Sequence, residues 1–162
     1  MGPRTCWHRK GTSIVGESIT TSPEETIELG RALGASLAAG DVVFLEGDLG
    51  AGKTTFVRGV AAACGIERGV KSPTFAVMHR YRGTPDIVHI DLYRQAEESG
   101  LDDLAIEEWG PEVITLVEWP KGFAAEQWPN ALRVVFRHVD EQTRGIRIPG
   151  RLDGSGQPEA DF

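Results

Sequence analysis

The sequence contains little cysteine and no long hydrophobic run, and each absence excludes a class of protein. Its 162 residues include two cysteines, Cys6 and Cys64, which are far apart and form no CxxC motif. A disulfide framework or a redox dithiol is therefore not indicated. No segment has the length and apolarity of a transmembrane helix or of a signal-peptide core. We therefore expect a reduced, soluble, cytoplasmic protein without a membrane partner.

Positive charge is also scarce. The 24 acidic residues outnumber the 17 lysines and arginines, which gives a formal net charge of -7. A protein that binds nucleic acid by itself usually neutralises phosphates with a large basic surface. We therefore expect no DNA partner, and a connection to RNA only through a partner protein. Arg80, Arg82 and Arg94 lie near one another in the sequence, and a solvated charged face is the ordinary interpretation.

Motifs of several enzyme classes are missing as well. There is no GxSxG nucleophile elbow and no zinc motif. The four histidines lack the spacing of metal ligands, so packed or exposed side chains are expected at His8, His79, His89 and His138. Guanine recognition usually requires an NKxD segment, whereas the only asparagine is Asn130. These absences argue against a serine hydrolase, a zinc site and a GTPase.

A phosphate-binding loop is the most specific motif that the sequence does contain. Gly47, Gly52, Lys53 and Thr54, within GDLGAGKTTFVRG, satisfy the pattern GxxxxGK[ST]. Glycines let successive backbone N–H groups form a nest for an anion, and the lysine brings a charge to the β and γ phosphates. The threonine hydroxyl can ligate Mg²⁺. The loop is predicted to hold a nucleoside triphosphate; the alternative is a flexible glycine turn with an incidental lysine.

The surroundings of this loop favour the first interpretation. The apolar run VVFL at 42–45 is typical of a buried strand, and apolar residues recur at helical spacing from Phe56 to Cys64 before Gly65. A strand before the loop and a helix after it are the context in which a phosphate loop works, because the helix directs its positive N-terminus at the phosphates.

The other segments indicate one α/β domain over residues 1–150, with a loose leader at 1–12 and a tail without core residues at 151–162. SIVGESITT predicts an edge strand, and Ser22, Pro23 and Glu25 predict a capped helix that continues to Gly40. FAVMHRY and IVHIDLY, separated by RGTPD, predict a β-hairpin, and VITLVEW predicts a central parallel strand. Short helices are predicted at ESGLDDLAIEEWG and KGFAAEQWP, and a closing strand pair at ALRVVFRHV and GIRI.

Two carboxylates are candidates for the chemistry at the loop. Asp91 ends IVHID and Glu118 ends VITLVE, and an acid at the end of a buried strand can bind Mg²⁺ or orient a nucleophilic water. The residues alone leave these roles open, and a surface or capping acid is the ordinary alternative. Thr74 lies on a loop that could sense the γ phosphate, and an ordinary loop threonine is the alternative. Trp119 could pack on the phosphate loop, contact a partner or lie in the core.

Four segments, GDLGAGKTTFVRG, SPTF, HIDLYR and VEWP, resemble in this order the TsaE family, the ATPase component of bacterial tRNA threonylcarbamoyladenosine synthesis. The resemblance covers roughly residues 22–148. It implies a three-layer α/β fold like that of P-loop NTPases, with a mainly parallel central sheet and an antiparallel hairpin. It also implies a weak ATPase with ATP and Mg²⁺ as cofactors. The implied partners are TsaB-type and TsaD-type proteins, with tRNA reached indirectly through their complex.

The resemblance also assigns site residues. The phosphate loop of the family falls on Asp48, Leu49, Gly50, Ala51, Gly52, Lys53, Thr54 and Thr55. Its magnesium ligands fall on Thr54 and Glu118, the aspartate needed for activity on Asp91, the tryptophan on Trp119 and the switch threonine on Thr74. With Lys53, the two acids Asp91 and Glu118 form the implied catalytic set. Phe75 stands where many members have tyrosine, and neither terminus matches a family motif.

The leading hypothesis is therefore an ATPase that supports a tRNA-modifying complex and is not itself the transferase. Three other functions stay open. A GTPase switch lacks its guanine motif, and a small-molecule kinase would need an acceptor pocket and an arginine-bearing lid. A nucleotide-binding scaffold would bind ATP without turnover under any condition.

Overall fold

The structure is a computed structural model that describes residues 15–73, 76–94 and 110–149. The leader and the tail lie outside these ranges, as do most of the helical segment ESGLDDLAIEEWG and the switch residue Thr74. The sequence-based expectations for those parts therefore stay predictions.

Seven strands and three helices form the described part of the chain. The strands are β1 (Gly16–Thr20), β2 (Val42–Glu46), β3 (Met78–Tyr81), β4 (Asp86–Asp91), β5 (Val113–Glu118), β6 (Leu132–His138) and β7 (Arg144–Ile148). The helices are α1 (Pro23–Gly34), α2 (Lys53–Ala63) and α3 (Gly122–Gln127), and a 3-10 turn covers Gly110–Glu112. Within the described ranges, no helix combines the length and the apolar character that crossing a membrane requires.

All seven strands belong to one sheet, in the order β1-β7-β6-β2-β5-β4-β3. The four central strands β6, β2, β5 and β4 are parallel, whereas β1–β7, β7–β6 and β3–β4 are antiparallel pairs. The α/β class, the mainly parallel centre, the hairpin and the edge position of β1 are thereby confirmed. Because β2, β4 and β5 end at the same sheet edge, the loop after β2 meets the last residues of the other two strands.

The layers follow from the alternation of side chains along each strand. On β2, Val43 and Leu45 face the core cluster that contains Phe56 and Val60 of α2, whereas Phe44 faces the opposite cluster with Ala124 of α3. Successive strand residues point to opposite faces, so a run such as VVFLE fills two cores at once. The sheet therefore lies between α1 and α2 on one side and α3 on the other.

Helix α1 begins as predicted but ends earlier. Ser22 caps it by accepting a hydrogen bond from the Glu25 backbone N–H at 3.2 Å, and Pro23 occupies the first turn. The predicted continuation to Gly40 is wrong, because α1 ends at Gly34. Beyond it, the backbone N–H of Gly40 donates to the carbonyl of Val113 on β5 at 2.8 Å, so this segment joins the sheet instead of extending the helix.

Glycines bring α1 and α2 into backbone contact. A Cβ atom added at Gly59 would lie 2.0 Å from the carbonyl oxygen of Ile27, and one added at Gly30 would lie 2.2 Å from that of Phe56. No side chain fits at either position, since real Cβ atoms do not approach a carbonyl oxygen that closely. Helix α2, which starts at the phosphate loop, is thus held directly against α1.

Candidate functional site

The phosphate loop connects β2 to α2 and takes a shape that depends on its glycines. Gly47, Gly50 and Gly52 all have positive φ values, of 151°, 73° and 100°. At Gly47 a Cβ atom would also lie 2.6 Å from the carbonyl oxygen of Phe136. Helix α2 has glycine at its N-cap and no side-chain hydrogen bond there. Its first N–H groups therefore point toward the loop as donors for an anion.

Two residues that the sequence did not assign to the site contact the backbone of this loop. His138, at the end of β6, contacts the carbonyl of Leu49 through Nε2 at 3.2 Å. Arg144, at the start of β7, donates from Nε to the carbonyl of Gly50 at 3.3 Å. Both contacts join the loop to strands about ninety residues away in the chain. No local sequence pattern signals them.

Lys53 is buried at the centre of the loop. Its ammonium group donates to the carbonyls of Gly47 at 2.5 Å and Asp48 at 2.8 Å. Desolvation lowers the pKa of Lys53 from its ordinary value, and the nearby carboxylates of Glu118, Asp91 and Asp48 oppose that shift. A buried cation surrounded by acids and by inward-facing N–H groups suits a triphosphate that arrives with Mg²⁺.

Glu118 is fixed by two donors at the end of β5. Its Oε1 accepts a hydrogen bond from the Thr54 hydroxyl at 3.1 Å and is 2.9 Å from Nε2 of His89. Both His89 and Glu118 are buried, and Nδ1 of His89 has no hydrogen-bond partner. Because a carboxylate only accepts, the His89 contact requires the proton on Nε2. The two donors share one oxygen, and no hydrogen bond of the described residues uses Oε2.

Asp91 lies beside Glu118, since the two residues are register partners on β4 and β5. Its Oδ1 accepts the backbone N–H of Tyr93 at 2.9 Å, and its Oδ2 is 3.4 Å from the hydroxyl of Ser72. Asp91 is only half-buried, in contrast to Glu118. The two acids therefore occupy one sheet edge in different surroundings.

Trp119 forms a cover over the lysine. The Lys53 Nζ atom lies 4.3 Å from the centroid of the Trp119 ring, a cation–π geometry. The ring of Tyr93 lies 4.9 Å from the same indole. Trp119 has a φ of 55°, which is rare for an aromatic residue and turns the chain sharply after β5. Of the interpretations open from sequence, contact with the loop is the one the structure supports.

Apart from Thr74, which lies outside the described residues, the main sequence-predicted residues come together at one edge of the sheet. The structure brings Lys53 and Thr54 next to Glu118, places Asp91 on the neighbouring strand and sets Trp119 over the loop formed by residues 48–55. His89, for which the sequence left both a packed and an exposed position open, is buried, and its contact with Glu118 was not predicted. One local signal pointed toward this contact. His89 and Asp91 are two residues apart on β4, so their side chains face the same side of the sheet.

The donor set fits a nucleoside triphosphate with Mg²⁺. Thr54 and Glu118 offer a hydroxyl and a carboxylate within hydrogen-bond distance of each other, the oxygen chemistry that Mg²⁺ prefers. In the described ranges, no cluster of three or more His, Cys, Asp or Glu residues could enclose a metal alone. Mg²⁺ typically completes its shell with substrate phosphates and water, so a two-ligand site is sufficient.

Comparison with known proteins gives a consistent result. The family model described as "Threonylcarbamoyl adenosine biosynthesis protein TsaE" matches residues 20–146. A Mycobacterium tuberculosis protein named "tRNA threonylcarbamoyladenosine biosynthesis protein TsaE" is 39% identical over 142 residues, covering 82% of this chain and 80% of that protein. The protein of the same name from Bacillus subtilis is 41% identical over 130 residues, covering 78% of this chain and 80% of that protein.

A solved structure supports the same assignment. The crystal structure of YdiB from Bacillus subtilis is similar with a TM-score of 0.65 and 37% sequence identity, covering 80% of this chain and 81% of that one. The phosphate loop, the strands β2 to β6, Asp91 and Glu118 lie within the matched region 20–146. This chain belongs to the TsaE family, whose members take part in tRNA threonylcarbamoyladenosine biosynthesis.

Proposed function

We propose that this protein is an ATPase that supports formation of N6-threonylcarbamoyladenosine in tRNA, in complex with TsaB-type and TsaD-type proteins, and that it is not the transferase. The observation that carries the proposal is the constellation of Lys53, Thr54 and Glu118 at the phosphate loop. Family membership supports the tRNA pathway, and the net charge of -7 supports an indirect contact with tRNA. A cytoplasmic location follows from this role.

The residues of the chain would act mainly by positioning and electrostatics. The N–H groups at the start of α2 bind phosphate oxygens, and Lys53 leaves its carbonyl partners to bind the β and γ phosphates. Thr54 and Glu118 would hold Mg²⁺, which would supply charge neutralisation for the phosphates. Because the site is partly desolvated, each of these charges stabilises the transition state more than it would in water.

The two acids divide the remaining work in this proposal. Glu118 accepts from Thr54 and His89 with Oε1, and no hydrogen bond of the described residues uses its Oε2, which would be available to a metal ion. Asp91 is more accessible, and its carboxylate is fixed by the Tyr93 N–H. We therefore assign Glu118 with Thr54 to metal binding and Asp91 to orienting the attacking water.

A partner is expected to raise the turnover of this site. Sites of this class that lack a positioned arginine hydrolyse slowly, at roughly 10⁻⁴ to 10⁻² per second in switch GTPases. Arg144, which donates to the Gly50 carbonyl of the loop, is also held by the backbone carbonyls of residues 140, 141 and 143. Two large side chains beside the site are exposed, Leu49 at 64% and Tyr93 at 46%, which suits a surface that a partner covers.

The test is ATP hydrolysis and multiple-turnover tRNA modification with purified TsaB-type and TsaD-type proteins. Wild type is compared with Lys53→Ala, and Arg147→Ala serves as a control at an exposed cation far from the loop in sequence. Lys53→Ala should lose both the hydrolysis stimulated by the partners and the sustained modification. Arg147→Ala should retain both. Nucleotide binding without stimulated hydrolysis and without an effect on modification would refute the proposal. Phosphate transfer to a metabolite in place of water would indicate a kinase.

A further inference from the structure

A groove on the outer side of α1 and α2 carries positive charge that the nucleotide site does not use. It has a volume of about 490 Å³ and lies between Arg31 of α1, Arg58 of α2 and the segment 66–71 that follows α2. Four of its lining side chains are cationic, Arg31, Arg58, Arg68 and Lys71, and one is acidic, Glu67. The whole chain has a net charge of -7, whereas the side chains that line this groove are mainly positive.

The cations of this groove are available for an external partner. Arg58, Arg68 and Lys71 form no ion pair with any residue of the ranges 15–73, 76–94 and 110–149. Arg31 contacts Glu28 at 3.3 Å, but both side chains are more than half exposed. An ion pair this exposed contributes little to stability and exchanges easily for a better acceptor.

The groove is also preorganised. Gly30 and Gly59 allow α1 and α2 to touch through their backbones, and each is the sequence neighbour of a groove arginine. A Cβ atom added at Gly59 would lie 2.7 Å from the backbone nitrogen of Arg31. This close backbone contact fixes the distance between the two helices. It therefore also fixes the positions of the Arg31 and Arg58 backbones. A rigid platform lowers the entropic cost of binding.

The base of the groove is apolar, which decides between two kinds of acidic partner. Ile66 and Val70 line it with 8% of their surface exposed, and Ile27 and Ala62 complete the wall. Single-stranded RNA usually binds by stacking bases on aromatic side chains, and the lining residues include none. An extended polyanion would also meet the net negative charge of the rest of the chain. A short acidic protein segment with one apolar side chain meets neither obstacle.

We propose that this groove docks an acidic segment of a partner protein that carries an apolar anchor residue. Carboxylates of the segment pair with Arg58, Arg68 and Lys71, where bidentate contacts to the guanidinium groups are possible. The anchor packs against Ile66 and Val70. None of the residues that line the groove belongs to the phosphate loop. A partner that docks here would therefore make a contact in addition to one at Leu49 and Tyr93.

The experiment measures fluorescence anisotropy of labelled probes with the full chain at low and moderate salt. The first probe is a peptide of glutamate and leucine, the second a polyglutamate of equal charge, and the third an oligouridylate of equal charge. The mixed peptide should bind best, and polyglutamate should bind at least about fivefold more weakly because it lacks an anchor. Arg58→Gln and Arg68→Gln should each weaken peptide binding about tenfold, or about 1.4 kcal/mol.

The control is Arg147→Gln, which removes an exposed arginine of β7 outside the groove and should leave binding unchanged. All substituted arginines are exposed, so the variants should unfold at the same temperature as wild type. Failure of the mixed peptide to bind, or an equal loss in Arg147→Gln, would overturn the proposal. Tighter binding of oligouridylate that depends on Arg58 and Arg68 would also overturn it and would assign the groove to RNA.

Discussion

Replacing Glu118 by glutamine and by alanine separates the structural role of its carboxylate from its role in metal binding. Glutamine keeps an oxygen for the two donors at 3.1 Å and 2.9 Å, those of Thr54 and His89. We therefore expect Glu118→Gln to lower the free energy of unfolding by no more than about 1 kcal/mol. Alanine leaves both ring nitrogens of buried His89 unpaired and opens a cavity, so Glu118→Ala should lose about 2–4 kcal/mol.

Urea unfolding and ATP titrations with and without Mg²⁺ measure the two effects. Both variants should lose most of the Mg²⁺ dependence of ATP affinity, because the negative charge is gone in each. The reasoning about the hydrogen bonds fails if glutamine destabilises the fold as much as alanine does. The metal assignment fails if Glu118→Gln binds ATP with the same Mg²⁺ dependence as wild type.

Asp91→Asn should slow ATP turnover at least about tenfold and leave ATP affinity nearly unchanged; an affinity loss equal to that of a Glu118 variant would show that the division of roles is wrong. Gly59→Ala should destabilise the fold by at least about 2 kcal/mol, since its Cβ would lie 2.0 Å from the Ile27 carbonyl oxygen. Gly122→Ala, with nothing within 4 Å, should be neutral or stabilising by up to about 1 kcal/mol, and thermal unfolding of both variants compares them. Desolvation lowers the pKa of Lys53, so its charge opposes folding at neutral pH and wild type gains stability as pH rises through that lowered pKa. Lys53→Met should therefore be more stable than wild type near neutral pH by a margin that shrinks in alkaline urea titrations; a margin that grows with pH would contradict this.

Local patterns predicted the parts of the fold that depend on local chemistry. The cap at Ser22, the strand before Gly47 and the helix after Lys53 all lie where the sequence indicated, because each depends on residues within one or two turns. The end of α1 was not predicted correctly. Apolar spacing continues through Leu37, whereas a hydrogen bond from Gly40 to β5 decides where the helix stops.

The members of the candidate site could be proposed from the sequence more easily than their arrangement. The phosphate loop and the two acids could be found from motifs, but the motifs left the role of each acid open. The register of β4 on β5, which sets Asp91 beside Glu118 and brings His89 onto its carboxylate, is a long-range property. The supports of the loop from His138 and Arg144 come from the far end of the chain and have no sequence signature.

The left-handed backbone turn at Trp119 places a fluorescent side chain where it can report on ligand binding. The turn holds the indole 4.3 Å from the ammonium group of Lys53, so any ligand that draws this lysine toward its phosphates changes the field at the chromophore. Trp128, the other tryptophan of the described ranges, packs beside Phe44 on the opposite side of the sheet. Tryptophan emission should therefore follow ATP binding in real time without a label, and Trp119→Phe should remove the part of the signal that this contact produces.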